Sequence, residues 1–363
     1  MTGKERILAA LRRQPVDRVP WVPLLVPYTI AGFPKDAPHR VAEAQRSVGC
    51  DIWTQAVADR IGLWFPKPGS KIKRIEYFEN IDVITGYETP EGTITERQRS
   101  GTGSSMNTTV KYLIETPDDL RVFRYVLNNS FLYIADYTDH YAWEEKLVGN
   151  DGVITDVGIG LTPHQMFMNF HAGLENTYNL QADEPEMFDE VMDIMHRQNL
   201  KQIKATAKKS KADIFISSEN TSWTTLSPAV FKKYCVNQLN EYADILHEHK
   251  KLHVVHMCGK LSHLTEMIAP CRFDCVADVA PSPTGDMELW EIADALPEMA
   301  VKGGIGCDTM ISDDPQECYD KAVECLDKTR GRLGVLLGSG DSVPNGTSLE
   351  NLRAITRAVM DKG

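Results

Sequence analysis

From about residue 150 to its end the chain repeats one pattern: a short apolar, β-branched run, a longer amphipathic stretch, then another apolar run. Gly152–Val157, Asp213–Ser217, Leu252–Met257, Cys275–Ala280, Ala300–Ile305 and Gly334–Leu337 read as strands. Between and after them, Pro163–His171, Glu184–Ser210, Ser227–His249, Lys260–Ala269, Asp286–Leu296, Pro315–Thr329 and Ser348–Asp361 read as helices. Strands alternating with helices imply parallel βαβ units, and near-continuous apolar strands suit a sheet buried on both faces. Two earlier strands, Trp21–Val26 and Gly49–Trp53, lie among the helices Glu5–Arg13 and Pro38–Val48 and bring the count close to eight. The expected fold is an α/β (β/α)8 barrel (a TIM barrel), with a doubly wound open sheet as the alternative. In both, reactive side chains collect at the C-terminal ends of the strands.

Residues 72–114 follow a different pattern. Ile84–Tyr87, Thr89–Thr93 and Gly101–Gly103 alternate β-formers with turn residues, which predicts a small β-rich insertion. Gly101–Gly103 is too short to argue for phosphate binding. Thr116, with Asp119 three residues on, marks the start of the next helix. No repeat or Gly/Ser linker divides the chain, so residues 1–363 are expected to form one domain with an insertion, a boundary near residue 150 being the alternative.

Net charge excludes one class of partner. The chain carries −12, whereas nucleic-acid binding calls for a basic surface. No run approaches the roughly 18–20 apolar residues of a membrane span. The N-terminal segment has neither the apolar core nor the cleavage site of a signal peptide. The eight cysteines show no scaffold spacing, as expected of free thiols in a cytoplasmic protein.

The chemistry concentrates around the strand Leu252–Met257, which ends in His256-Met257-Cys258-Gly259. Side chains alternate faces along a strand, so His256 and Cys258 point the same way. An imidazole and a thiolate converging at a strand end can begin a zinc site, although a buried cysteine beside a core histidine gives the same pattern. Other candidate ligands sit at strand ends: Asp278 on the next strand, Cys307 after Ala300–Ile305, and Asp341 after Gly334–Leu337. Three protein ligands with an open fourth position would make such a site catalytic. Glu219, Asn220 and Trp223 follow another strand and are candidate pocket residues, as is Met257, with helix capping as the plainer role for the 219–223 segment. His164, on a helix with Met166, Phe167 and Met168, is a further candidate substrate contact, or simply surface polarity. Cys235, Cys318 and Cys325 fall mid-helix and read as core, as does Cys275.

Several segments taken together resemble the uroporphyrinogen decarboxylase superfamily, and within it the cobalamin-dependent methyltransferase branch. They are ERILAALRRQPVDRVP, ETPEGTITERQR, ETPDDLR, TLSPAVFKKY, HMCG and VPNGTSLENLRAITRAV, spread over nearly the whole chain. The family fold is a (β/α)8 barrel. The decarboxylase grips porphyrin carboxylates with arginines in an N-terminal segment. Here that region reads VPLLVPYTIAGF and offers none, which argues against decarboxylation. The resemblance implies Zn(2+) held by His256, Cys258 and a cysteine in a late loop, where this chain has Asp341. The third ligand is therefore open among Cys307, Asp341 and Asp278, with Cys307 favoured.

The GGI and PSPTGD segments look like the aryl-ether demethylating members, the first methyltransferases of O-demethylase systems. The implied reaction moves a methyl group from a small-molecule donor, a methoxylated aromatic, to the cobalt(I) of a corrinoid held by a partner protein. Asp278, Glu219 or a nearby histidine would deliver a proton to the leaving oxygen. The alternatives are a methylcobamide:thiol methyltransferase of the coenzyme M type, a decarboxylase, or a non-catalytic binding barrel. Barrels of this kind often pair, so a homodimer is compatible with the reading.

Overall fold

In the computed structural model, residues 1–25, 41–56, 64–99, 108–133 and 138–363 are described. Among the described residues, fourteen strands run in chain order. They are β1 Trp21–Leu24, β2 Ile52–Ala56, β3 Trp64–Pro66, β4 Lys73–Glu79, β5 Asp82–Thr89, β6 Gly92–Arg99, β7 Thr108–Lys111, β8 Ser130–Leu132, β9 Gly152–Asp156, β10 Ile214–Ser217, β11 Leu252–His256, β12 Cys275–Val279, β13 Ala300–Ile305 and β14 Val335–Ser342. The chain divides into two compact units: Met1–Ala58, Asp136–Ile159 and Thr206–Gly363 form one, and Asp59–Ala135 with Gly160–Ala205 the other.

The first unit holds an eight-stranded sheet in the order β1-β14-β13-β12-β11-β10-β9-β2, and every pair in it is parallel. The two end strands meet: the Asp51 amide donates to the Trp21 carbonyl at 2.9 Å, and the Trp21 amide donates to the Asp51 carboxylate at 3.1 Å. The sheet is thereby the near-closed barrel that the alternation implied. Asp51, 3% exposed, also accepts from Arg6 at 2.6 Å and from Arg18 at 2.8 and 3.0 Å, which ties the N-terminal helix Gly3–Leu11 to the seam.

The barrel interior follows from strand parity. Val22, Trp53, Val153, Ile214, Ile216, Leu252, Val254, Cys275, Ala277, Ala300 and Leu336 form one buried cluster with Ile7, Leu8, Ala10 and Leu11 of the N-terminal helix, which closes the end where the strands begin. Removing a large side chain from such a packed cluster costs about 2–5 kcal/mol. Continuing the same parity toward the C-terminal ends puts His256 and Lys302 inside the barrel. The interior changes there from apolar to charged.

The second unit contains the antiparallel sheet β4-β5-β6-β7 and the pair β3-β8. The predicted insertion is thus a meander over Lys73–Lys111, within which Gly101–Gly103 lies outside the described residues. Thr116 caps the helix Pro117–Asn128 through a reciprocal box with Asp119. Three details depart from expectation. The helices read over 163–171 and 227–249 each contain a π-helical segment, Phe167–Ala172 and Lys232–Val236. The segment 260–269 is helical only over Thr265–Ile268. The last strand, expected to stop at Leu337, runs to Ser342: β14 pairs with β13 through Gly338 and Ser339, and Ser342 pairs with Leu24 of β1.

Candidate metal centre

β11 delivers His256 to the barrel mouth, 6% exposed. Its Nδ1 lies 2.6 Å from Oδ2 of Asp278, and its Nε2 lies 3.9 Å from Oδ1 of Asp341. Ligand atoms of His256, Cys258 and Asp341 all lie within 4.8 Å of one another. Two elements bring them together. Gly259, whose amide donates to the Thr221 carbonyl, packs so closely that a Cβ would stand 2.4 Å from Ser222, which fixes the path after Cys258. The extension of β14 carries Asp341 to the same point.

Asp278 reaches His256 through an unusual backbone. Its φ is +63°, a conformation that non-glycine residues adopt at a cost of about 1–3 kcal/mol. The β12–β13 register shifts between Val276 and Val279, so Asp278 sits in an irregularity of the strand. Gly303 on β13 accommodates that irregularity: at φ +148° it lies against Val279, and a Cβ would come within 2.3 Å of the Val279 carbonyl oxygen.

The second oxygen of Asp278 pairs with the ammonium of Lys302, itself 4% exposed. Burial would raise the Asp278 pKa, but the Lys302 charge and the His256 hydrogen bond outweigh it and hold the carboxyl at about 2. For His256 burial disfavours the charged form, yet Asp278 and Cys258 raise its pKa to about 10. A ring proton bonded to a carboxylate on one nitrogen leaves the other to face a metal, the arrangement found behind metal-binding histidines. The protonated ring, a thiol and a second carboxylate form a cluster that a cation would satisfy in place of a proton.

The other sequence candidates distribute unevenly. Cys307 is not in the three-residue group. Its thiol donates to the Ser342 carbonyl at 3.7 Å, and burial together with Asp341 and Asp308 pushes its pKa up to about 11. The carboxylate of Asp341, and not the thiol of the favoured Cys307, falls in that group. Asp278, a candidate proton donor from sequence, has both its oxygens engaged, one by His256 and one by Lys302. Glu219, 1% exposed, lies just past the end of β10, and the exposed Asn220 beside it, at φ +49°, accepts from the Cys258 thiol at 4.0 Å. Trp223 is half-buried: its Nε1 donates to Asp286 at 2.7 Å, and its ring stacks on His263 with centroids 4.5 Å apart. Asp286 also accepts from the Leu261 and Ser262 amides and the Ser262 hydroxyl, joining the loops after β10, β11 and β12. Met257 is fully buried in the core, and His164 is buried in the second unit near Tyr178 and Phe188. Cys275 belongs to the barrel core.

Sequence reasoning missed Lys302 and Asp286. The signal for Lys302 was present as the one charge in Ala300–Ile305, an otherwise apolar strand.

A parallel (β/α)8 barrel with a His, Cys and Asp cluster at its C-terminal mouth defines an enzyme-like architecture. Residues 157–361, more than half of the chain, match the uroporphyrinogen decarboxylase (URO-D) family, and the chain belongs to that family. Among curated proteins, the methylated-thiol–coenzyme M methyltransferase of Methanosarcina mazei is 24% identical over 197 residues. The match covers 52% of this chain and 48% of the relative, so the chain matches about half the relative's length. Among solved structures, a methyltransferase from Methanosarcina mazei shares the fold at a TM-score of 0.65, with 16% identity and 99% of both chains covered.

Proposed function

We propose that this protein is a zinc-dependent methyltransferase that moves a methyl group from a small-molecule donor to the cobalt of a corrinoid carried by a partner protein. The observation that carries the reading is the convergence of His256, Cys258 and Asp341 at the mouth of the barrel, with the His256 ring turned by Asp278. Nitrogen, sulfur and oxygen donors in that number fit a catalytic zinc with one position left open. When bound, a zinc ion would supply Lewis acidity toward the donor's heteroatom.

The chain's own residues supply the rest. Asp278 holds the Nδ1 proton of His256 and so directs Nε2 toward Cys258 and Asp341. Asp286 fixes Trp223 and the loops at the rim. With Asp278 engaged on both oxygens, proton delivery to the leaving atom falls to Glu219. Asn220 and Trp223 are the donor contacts we assign on this rim.

A carboxylate in place of a second thiolate gives a harder site, which suits an ether oxygen. The donor we propose is therefore a methoxylated aromatic, and the reaction O-demethylation. A methylated thiol is the second reading, favoured by the name of the Methanosarcina mazei relative. The test incubates the zinc-loaded protein with a cobalt(I) corrinoid protein and either methoxyarenes or methylated thiols, following methylcobalamin formation by absorbance. Turnover with methoxyarenes supports the first reading and turnover with methylated thiols the second. No zinc retained and no transfer from either would refute both.

A further inference from the structure

Lys302 is a lysine inside the barrel with no role in the chemistry above. It is 4% exposed, pairs with Oδ1 of Asp278, and sits 5.8 Å from the centroid of the Trp53 ring. A buried ion pair is a poor source of stability, since apolar residues of similar volume serve as well or better. Its presence inside the barrel, above the apolar core, calls for a different explanation.

Hydrogen-bond logic provides one. An ammonium only donates, so Oδ1 of Asp278 must accept from it. The buried positive charge beside it keeps Asp278 ionised, and a carboxylate can only accept on Oδ2 as well; the group facing Oδ2 at 2.6 Å is Nδ1 of His256. The proton of that contact must then sit on Nδ1, which leaves Nε2 directed toward Cys258 and Asp341. The positive φ of Asp278 and the glycine at 303 are what let one carboxylate span both partners.

We infer that Lys302 is a positioning residue for the metal-binding imidazole, holding Asp278 as a two-sided acceptor so that Nε2 of His256 faces the metal. The inference rests on the zinc reading above and adds to it a buried lysine that acts through Asp278.

The test compares wild type, Lys302→Met, Asp278→Asn and the Asp278→Asn/Lys302→Met double variant. Zinc affinity is measured by competition with a chromophoric chelator. The visible spectrum of the cobalt(II)-substituted protein reports ligand geometry, and circular dichroism of the metal-free protein reports folding. Wild type should bind one zinc per chain, and Lys302→Met should bind it roughly 10–100-fold more weakly with an altered cobalt(II) spectrum. In the Asp278→Asn background, Lys302→Met should add less than about a twofold loss, because the lysine acts through that carboxylate. If Lys302→Met fails to fold with its carboxylate unpaired, the double variant against Asp278→Asn carries the comparison. An unchanged affinity and spectrum in Lys302→Met, or losses that multiply in the double variant, would overturn the inference while leaving the zinc reading intact. Absence of zinc in wild type would instead remove the zinc reading, and the inference with it.

Discussion

At the level of single residues, the contrast between Asp341 and Cys307 decides how the site is completed. Cys307 follows β13 and Asp341 lies near the C-terminal end of β14, and softness alone favours the cysteine. Yet Cys307 is turned toward the Ser342 carbonyl, and burial and two nearby carboxylates raise its pKa. Asp341 stands 3.9 Å from Nε2 of His256 with its side chain 40% exposed, open to the mouth. Asp341→Ala should therefore weaken zinc binding by about 100-fold or more, whereas Cys307→Ser should leave it within a few-fold of wild type. Chelator competition on the two purified variants checks this, and the reverse order would return the third ligand to Cys307. His256 and Cys258 were legible in the sequence because strand parity alone puts them on one side. Asp341 was harder to place. The apolar run before it reads as ending at Leu337, while in the fold β14 continues to Ser342 and carries the carboxylate to within 3.9 Å of Nε2 of His256.

The strands of the barrel were visible as elements because burial on both faces makes each a nearly continuous apolar run. What could not be read was the irregularity in β12, since nothing in CVADV announces a positive φ at its aspartate. Its counterpart, Gly303, reads as an ordinary strand glycine until the carbonyl of Val279 is found in the space of its absent Cβ. Gly303→Ala should destabilise the protein by at least about 1 kcal/mol through φ and contact together. It should also weaken zinc binding by displacing Asp278. Denaturant titration and chelator competition on one preparation test both, and a loss of stability with unchanged affinity would separate the bulge from the site. A second element-level device is the pair His247–Asp274, at 2.9 Å, between the helix Asn237–Glu248 and the segment leading into β12. The hydrogen bond to Asp274 raises the His247 pKa. A raised folded-state value means that the stabilisation is fully present below the unfolded pKa, about 6.5, and is lost as pH rises through the folded value. With His247 40% exposed, the contribution is under about 1 kcal/mol. His247→Gln should thus lower Tm at pH 6 and match wild type by pH 9, and a gap that widened with pH would contradict the assignment.

For the molecule as a whole, the barrel is held from two ends that perform separate tasks. Where the strands begin, Asp51 joins the N-terminal helix, β1 and β2 with Arg6 and Arg18. Where they end, His256 and Asp341 come from β11 and β14, with β12 and β13 between them. A zinc ion binding there would link non-adjacent strands, and a ligand that binds only the folded form stabilises by about 2.7 kcal/mol at 100 times its Kd. The chain has two compact units, so heating should show the zinc effect in the transition of the unit that contains the barrel. Asp51→Ala breaks a buried ion-pair network at the other end and should cost about 3–5 kcal/mol in that same transition. Because the two sites share no partner, the effects should add: the variant should melt lower with and without zinc, by the same amount in each case. Calorimetry of four samples, wild type and Asp51→Ala each loaded and stripped, measures this directly. A zinc increment that vanished in Asp51→Ala would show that closure of the seam and assembly of the metal centre are one event, and the division between a stabilising end and a reactive end would then be wrong.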